Sequence, residues 1–382
     1  MKNTITLFLG LLAVAVSAGE PPRVAPVPDS VRQEFHLAPF YKKHVSAGGV
    51  PVVSSDKPSD FALLEAAWIL NRMLAGRDDV RATIVKNKVR LVVMGFGEFT
   101  TDVPEHSDMK PAAYWNRRAR GLGASQERPA VSCGEENLLC YPGDPYAPEN
   151  ILVHEFGHVI HDMGMNSIDP TFDRRLRETF EAAKRDGLWK GTYAGSNYHE
   201  YWAEGVQSWF DTNDANNAEH NDIDTREKLK RYDPRFATLL AEVFRGNEWR
   251  YTRPAKHAGE AHLAGFDAAK SPRFTWPKEK TPALPKLAAL AAPPAQSPPG
   301  GKGTSIIFRN NTREEVEVDW IDFEGARIPY GHLRPRMTEN MDTYSGHVWV
   351  IKSGDGREIA TFVAGDTARE AVIEEPKADR KK

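Results

Sequence analysis

Residues 149–164 read ENILVHEFGHVIHDMG, and the pentad His154-Glu155-Phe156-Gly157-His158 within them constrains the fold more than any other part of the chain. Two histidines four apart stand one turn above each other on an α-helix, which lets both imidazoles reach one metal ion. Pro148, Glu149 and Asn150 suit a helix first turn, where a missing N–H costs nothing and the dipole favours negative charge. Ile151, Leu152, Phe156, Val159 and Ile160 give the helix apolar faces, and Gly157 is tolerated where a neighbouring segment must approach closely. The run therefore predicts a buried helix that offers His154 and His158 to a metal, with Glu155 beside them as a base. The plainer reading is a core helix with two incidental histidines.

A third ligand is needed. In the pattern HExxHxxGxxH the last histidine supplies it, but here His161 stands at the glycine position and Gly164 at the final one, which excludes that subtype. Downstream, residues 197–210 read NYHEYWAEGVQSWF, apolar and aromatic nearly all round as in a buried helix. Buried carboxylates are costly unless paired or metal-bound, so Glu200 and Glu204, four apart on one face, require an explanation. A zinc ion supplies it: Glu200 as third ligand, Glu204 accepting the other ring N–H of a ligand histidine, and the fourth position open to water. His161, His199 and His220 are not counted as ligands; His199 adjoins Glu200 and is rotated by about 100° from the metal-facing side.

Tyr193-Ala194-Gly195-Ser196-Asn197-Tyr198-His199-Glu200-Tyr201-Trp202-Ala203-Glu204 follows HEFGH by some forty residues. In this arrangement the chain resembles the lethal factor and Pro-Pro endopeptidase family of zinc peptidases, gluzincins in which a tyrosine precedes the glutamate ligand by seven residues and a second glutamate follows by four. The resemblance implies one catalytic zinc ion held by His154, His158 and Glu200, Glu155 as general base and then acid, and Tyr193 as the donor to the oxyanion. Glu204 is implied as support for a ligand.

Residues 1–18 carry Lys2, an apolar run from Ile5 to Val16 and the small-residue pattern Val16-Ser17-Ala18, which read as a secretory signal peptide cut after about Ala18. The mature chain is expected to be exported, without a membrane anchor. Of two cysteines, Cys133 and Cys140, an oxidising compartment would make a disulfide. A net charge of −3 with mixed signs gives no reason to propose nucleic acid as a partner. The expected domains are a zinc-peptidase domain over 22–255, a Pro/Ala-rich linker over 256–302, a β-domain over 303–366 and a charged, disordered tail over 367–382. In the first domain 49–54 and 89–94 read as strands, and 59–74, 169–186 and 225–244 as helices. The segment 128–140, RPAVSCGEENLLC, is expected to supply the strand along which a substrate lies.

After residue 303 alternating runs return at 305–308, 315–320, 327–333, 338–343, 348–352 and 358–363, the pattern of a small β-sandwich. With Trp320-x-x-Phe323-x-Gly325 and Thr343-Tyr344-x-Gly346-His347-x-Trp349, this part resembles the von Hippel-Lindau β-domain. That resemblance implies a peptide-binding pocket for hydroxyproline made from Trp320, Tyr330, Thr343, His347 and Trp349, Thr343 replacing the family's serine. No segment resembling the family's helical domain follows, so a ubiquitin-ligase role is not implied.

The whole reads as an α+β zincin-like catalytic domain followed by a small all-β sandwich. It is expected to be a secreted zinc endopeptidase acting on protein or peptide substrates, proline- or hydroxyproline-rich ones in particular, which the β-domain tethers through a flexible linker. The rival reading is a non-catalytic adhesion protein that keeps a structural zinc site.

Overall fold

In a computed structural model, residues 22–278 and 283–375 are described; the signal-peptide reading over 1–18 lies outside them. The chain is mixed α/β through its first two thirds and all β after residue 283. A six-stranded sheet runs in the order β1 (Ala25–Pro26), β2 (Lys43–Ala47), β3 (Val50–Ser54), β4 (Arg90–Met94), β6 (Ala130–Gly134), β5 (Gly121–Leu122). β3, β4 and β6 are mutually parallel, while β1, β2 and β5 run antiparallel to their neighbours. Gly48 and Gly49 join β2 to β3 with φ of 63° and 101°. Both positive values suit a two-residue hairpin turn, so Gly49, expected in the strand, belongs to the turn.

The fully buried strands β3, β4 and β6 read as continuous apolar runs because helices cover the sheet. One is the Asp60–Met73 helix, which buries Ala62, Leu63, Ala66, Ile69, Leu70 and Met73, and with them the carboxylate of Glu65. The Ile151–Val159 helix lies between β6 and the Tyr198–Trp209 helix. Asn150, not Pro148, sets its start: the Asn150 side chain accepts a hydrogen bond from Val153 N. The single helix expected over 225–244 is two, Arg226–Tyr232 and Pro234–Phe244. Proline cannot continue a helix, and buried Asp233 at the break accepts bonds from Phe236 N, Trp189 Nε1 and Tyr201 Oη.

The C-terminal part is a sandwich of two four-stranded sheets. One has the order β10 (Arg327–Leu333), β9 (Val316–Ile321), β12 (Val348–Lys352), β13 (Glu358–Val363). The other is β11 (Thr338–Tyr344), β8 (Gly303–Asn310), β14 (Arg369–Ile373), β7 (Lys286–Leu287). Between them pack Ile306, Phe308, Val318, Leu333, Met341, Trp349 and Phe362. β14 corrects the expectation of a disordered tail from 367: it pairs in parallel with β8 and sends Ala371 and Ile373 into the core, a role its short apolar alternation permits.

Residues 256–302 are not a free tether where they are described. Phe274 is buried and its N–H donates to Pro142 O. Ser297 is buried on β9 and β12, donating to Ile321 O and accepting from Val348 N. The expected disulfide is also absent: Cys133 faces the core from β6, whereas Cys140 is exposed on a residue of φ 54° after the short Glu135–Leu138 helix.

Candidate metal centre

Helix packing creates the site. Trp202 Nε1 donates to Gly157 O at 2.8 Å, and a Cβ at Gly157 would stand 3.3 Å from Val206 Cβ, so only glycine lets the two helices approach this closely without adjustment. The second helix is capped by Asn197, whose Oδ1 accepts from His199 N and Glu200 N, both at 2.9 Å. These contacts bring His154, His158 and Glu200 together.

His154 Nε2 lies 3.3 Å from His158 Nε2 and 3.1 Å from Glu200 Oε2, and His158 Nε2 lies 3.6 Å from the same oxygen. Ligands about 2.0–2.1 Å from a tetrahedral ion are separated by about 3.3–3.4 Å, so the three atoms form one face of such a tetrahedron. Proton bookkeeping supports a cation there. Gln207 Nε2 donates to Glu149 Oε2 at 2.7 Å, which turns Gln207 Oε1 toward His154 Nδ1 at 2.8 Å. Nδ1 therefore carries a hydrogen, and Nε2 faces the Glu200 carboxylate and His158 Nε2. Burial opposes charge on His154, but its bonds to Glu200 and Glu204 raise the imidazole well above the usual range, so this point favours a positive charge, as a proton on Nε2 or as a metal ion in its place.

Gln207 shares the place expected for Glu204, whose Oε1 lies 3.5 Å from His154 Nδ1. Glu204 is held as well by Asn213 Nδ2 at 3.0 Å and by His220 Nε2 at 3.3 Å. Burial would raise its carboxyl, but the bonds from His154 and His220 hold it down at about 2. His161 is fully buried and bonded to Asp173, and His199 stacks toward Tyr198 and Tyr330, so neither joins the trio. Gln207 was legible in principle, since 200, 204 and 207 share one helix face.

His154, Glu155, His158, Tyr193 and Glu200 line one cleft of about 790 Å³. Burial pushes the Glu155 carboxyl up against the opposing pull of both histidines. Tyr193 lies with its ring nearly parallel to His154, centroids 6.3 Å apart. Burial and the charges of Glu200 and Glu339 keep its phenol well above the usual range, so it remains an O–H donor. The wall opposite Glu155 is β5, not the expected β6. β6 is paired on both sides, by β4 and β5, and only β5 at the sheet edge lines the cleft. A Cβ at Gly121 would fall 2.9 Å from Glu155 Cγ and 2.4 Å from Ile151 Cγ2, so glycine at this position brings the edge strand against the base.

The other wall is β11 of the sandwich, which contributes Glu339, Asn340, Asp342 and Thr343. The domains meet at Asn197, which forms a bridge with Gly331 and whose Nδ2 reaches Glu339 Oε1 at 3.4 Å. Burial and the nearby Glu200 charge, opposed by Arg118, push the Glu339 carboxyl up to about 8. Neither Arg118 nor Glu339 had a motif to mark it. Of the five pocket residues expected in the β-domain, Tyr330 and Thr343 open into this cleft. Trp349 is 2% exposed and belongs to the core, its Nε1 donating to Thr343 Oγ1 at 3.0 Å, with Tyr330 packed edge-on against it. Trp320 and His347 gather with Phe323, outside the cleft lining.

Comparison with known proteins bears on this second half. The family model described as the VHL beta domain matches residues 300–361. Among curated proteins no match is found. No helix among the described residues is long and apolar enough to cross a membrane.

Proposed function

We propose that the chain is an exported zinc-dependent endopeptidase of the gluzincin type, with a zincin-like first domain, whose substrate is gripped between β5 and the β-domain. The observation that carries this reading is the trio His154, His158 and Glu200, spaced at 3.1–3.6 Å with their ligand atoms facing one another, beside a base and a phenol in one cleft. Zinc bound by the three would polarise a carbonyl and lower the pKa of water. Glu155 takes the proton from the attacking water on its carboxylate and returns it to the leaving nitrogen, a cycle that a carboxyl raised by burial is suited to run. Tyr193 donates its O–H to the oxygen on which charge develops. The backbone of Gly121 and Leu122 pairs with an extended substrate as an added strand.

The substrate class is a protein segment containing proline or hydroxyproline. What supports it is Tyr330 and Thr343, the two positions of the β-domain resemblance that open into the cleft of the metal trio. The β-domain then acts as a fixed wall rather than as a bait on a string, since Phe274 and Ser297 anchor the described residues between the domains. A peptide library incubated with the full chain tests the reading: cleavage is expected, lost on chelation and restored by zinc, with proline near the scissile bond. Tight zinc binding without cleavage of any peptide would favour the rival adhesion protein with a structural ion.

A further inference from the structure

The apolar face of the Asp60–Met73 helix contains one carboxylate, Glu65, with no solvent exposure. Two histidines from the distant segment after the last helix of the first domain converge on it. His262 Nε2 lies 2.7 Å from Glu65 Oε2, and His257 Nε2 lies 3.2 Å from both Glu65 oxygens. One donor atom from each of the three residues lies within 4.8 Å of the others. Both rings lie nearly parallel to the Trp68 indole, at 4.6 Å and 5.0 Å, which fixes them side by side with their Nε2 edges toward the carboxylate. Thr252 Oγ1 stands 2.9 Å from His257 Nδ1, the kind of outer hydrogen bond that orients a ligand imidazole.

We propose that Glu65, His257 and His262 form a second metal site, one that binds a divalent ion of zinc's kind and clamps the 252–263 segment to the Asp60–Met73 helix. The groups that ion-pair with Glu65 are these imidazoles. A carboxylate without solvent exposure needs positive charge beside it; a divalent cation supplies that charge and takes the same three groups as ligands. Two imidazoles and a carboxylate are a donor set that zinc accepts. None of the three lines the cleft, so the site is structural and separate from the first trio.

Zinc counting by mass spectrometry on the full-length chain decides the matter. The double variant His154→Ala/His158→Ala, which empties the first trio, is expected to retain one zinc per chain after dialysis against zinc-free buffer. Adding Glu65→Gln to that background is expected to remove it. Loss of all zinc in the double variant while its circular dichroism stays native would overturn the proposal, as would one zinc retained after Glu65→Gln. The first measurement leaves the proposed ligands intact, so it decides even where the triple variant fails to fold.

Discussion

The metal trio and the aromatic set of the β-domain were both expected as clusters, yet only the first converges on one point. His154, His158 and Glu200 meet within 3.6 Å, whereas Trp320, Tyr330, Thr343, His347 and Trp349 divide among cleft, core and far rim. The difference lies in what burial costs. Imidazoles and carboxylates buried on facing helices need a partner, so their pattern points to one purpose. A tryptophan needs none, and Trp349 fills the sandwich whether or not a peptide ever arrives.

The sharpest break of this comparison is within the aromatic set. Trp349→Ala is expected to cost about 3–5 kcal/mol, as for other fully buried tryptophans, and Trp320→Ala much less. Denaturant unfolding of the two variants checks this; equal losses would mean that Trp320 is core as well. Next comes His106, at the seam where Asp342 of β11 faces the first domain. It is 2% exposed, and burial lowers its imidazole to about 4, against the charges of Glu105 and Asp108 and aided by that of Arg128. Below the unfolded value of about 6.5 the unfolded chain binds the proton that the folded chain refuses, so stability falls as pH drops from about 6.5 to about 4. The loss is no more than about 3 kcal/mol, and His106→Leu should flatten the slope of melting temperature between pH 4 and 7.

Smaller effects probe how each region is held. Gln207→Ala should weaken zinc binding by about 10- to 100-fold, because the His154 tautomer loses its anchor; competition with a chelator measures it. Glu204→Gln, one step further from the imidazole, should do less. Asn197→Ala removes a helix cap and the bridge-side amide, with an expected cost of about 1 kcal/mol. Its effect on thermal unfolding should exceed that of an ordinary cap only if the seam between the domains also loosens.

What the chain disclosed beforehand follows the same divide. The strands 327–333, 348–352 and 358–363 fall where their apolar residues put them; 327–333 alternates between buried and wetter positions, whereas 348–352 is buried on both faces. β14 was hidden because the charges of Arg369, Glu370, Glu374 and Glu375 around three apolar residues read as solvent-facing, though its backbone pairs with β8 in the sheet. The edge role of β5 could not be read from a two-residue strand, nor could the packing of a Pro/Ala-rich stretch whose few anchors, Phe274 and Ser297, are scattered. Gln207 could have been read from the helix face it shares with Glu200 and Glu204, whereas Glu339 acts through neighbours distant in sequence and has no spacing that announces them.

The central claim is that His154, His158 and Glu200 hold a catalytic ion while Glu155 works as the base. Glu155→Gln, purified with zinc and assayed on the same peptide library, tests it most directly. The account predicts an unchanged zinc content at the first trio and loss of peptide cleavage by several orders of magnitude. Cleavage that survives the substitution, with the metal in place, would contradict it.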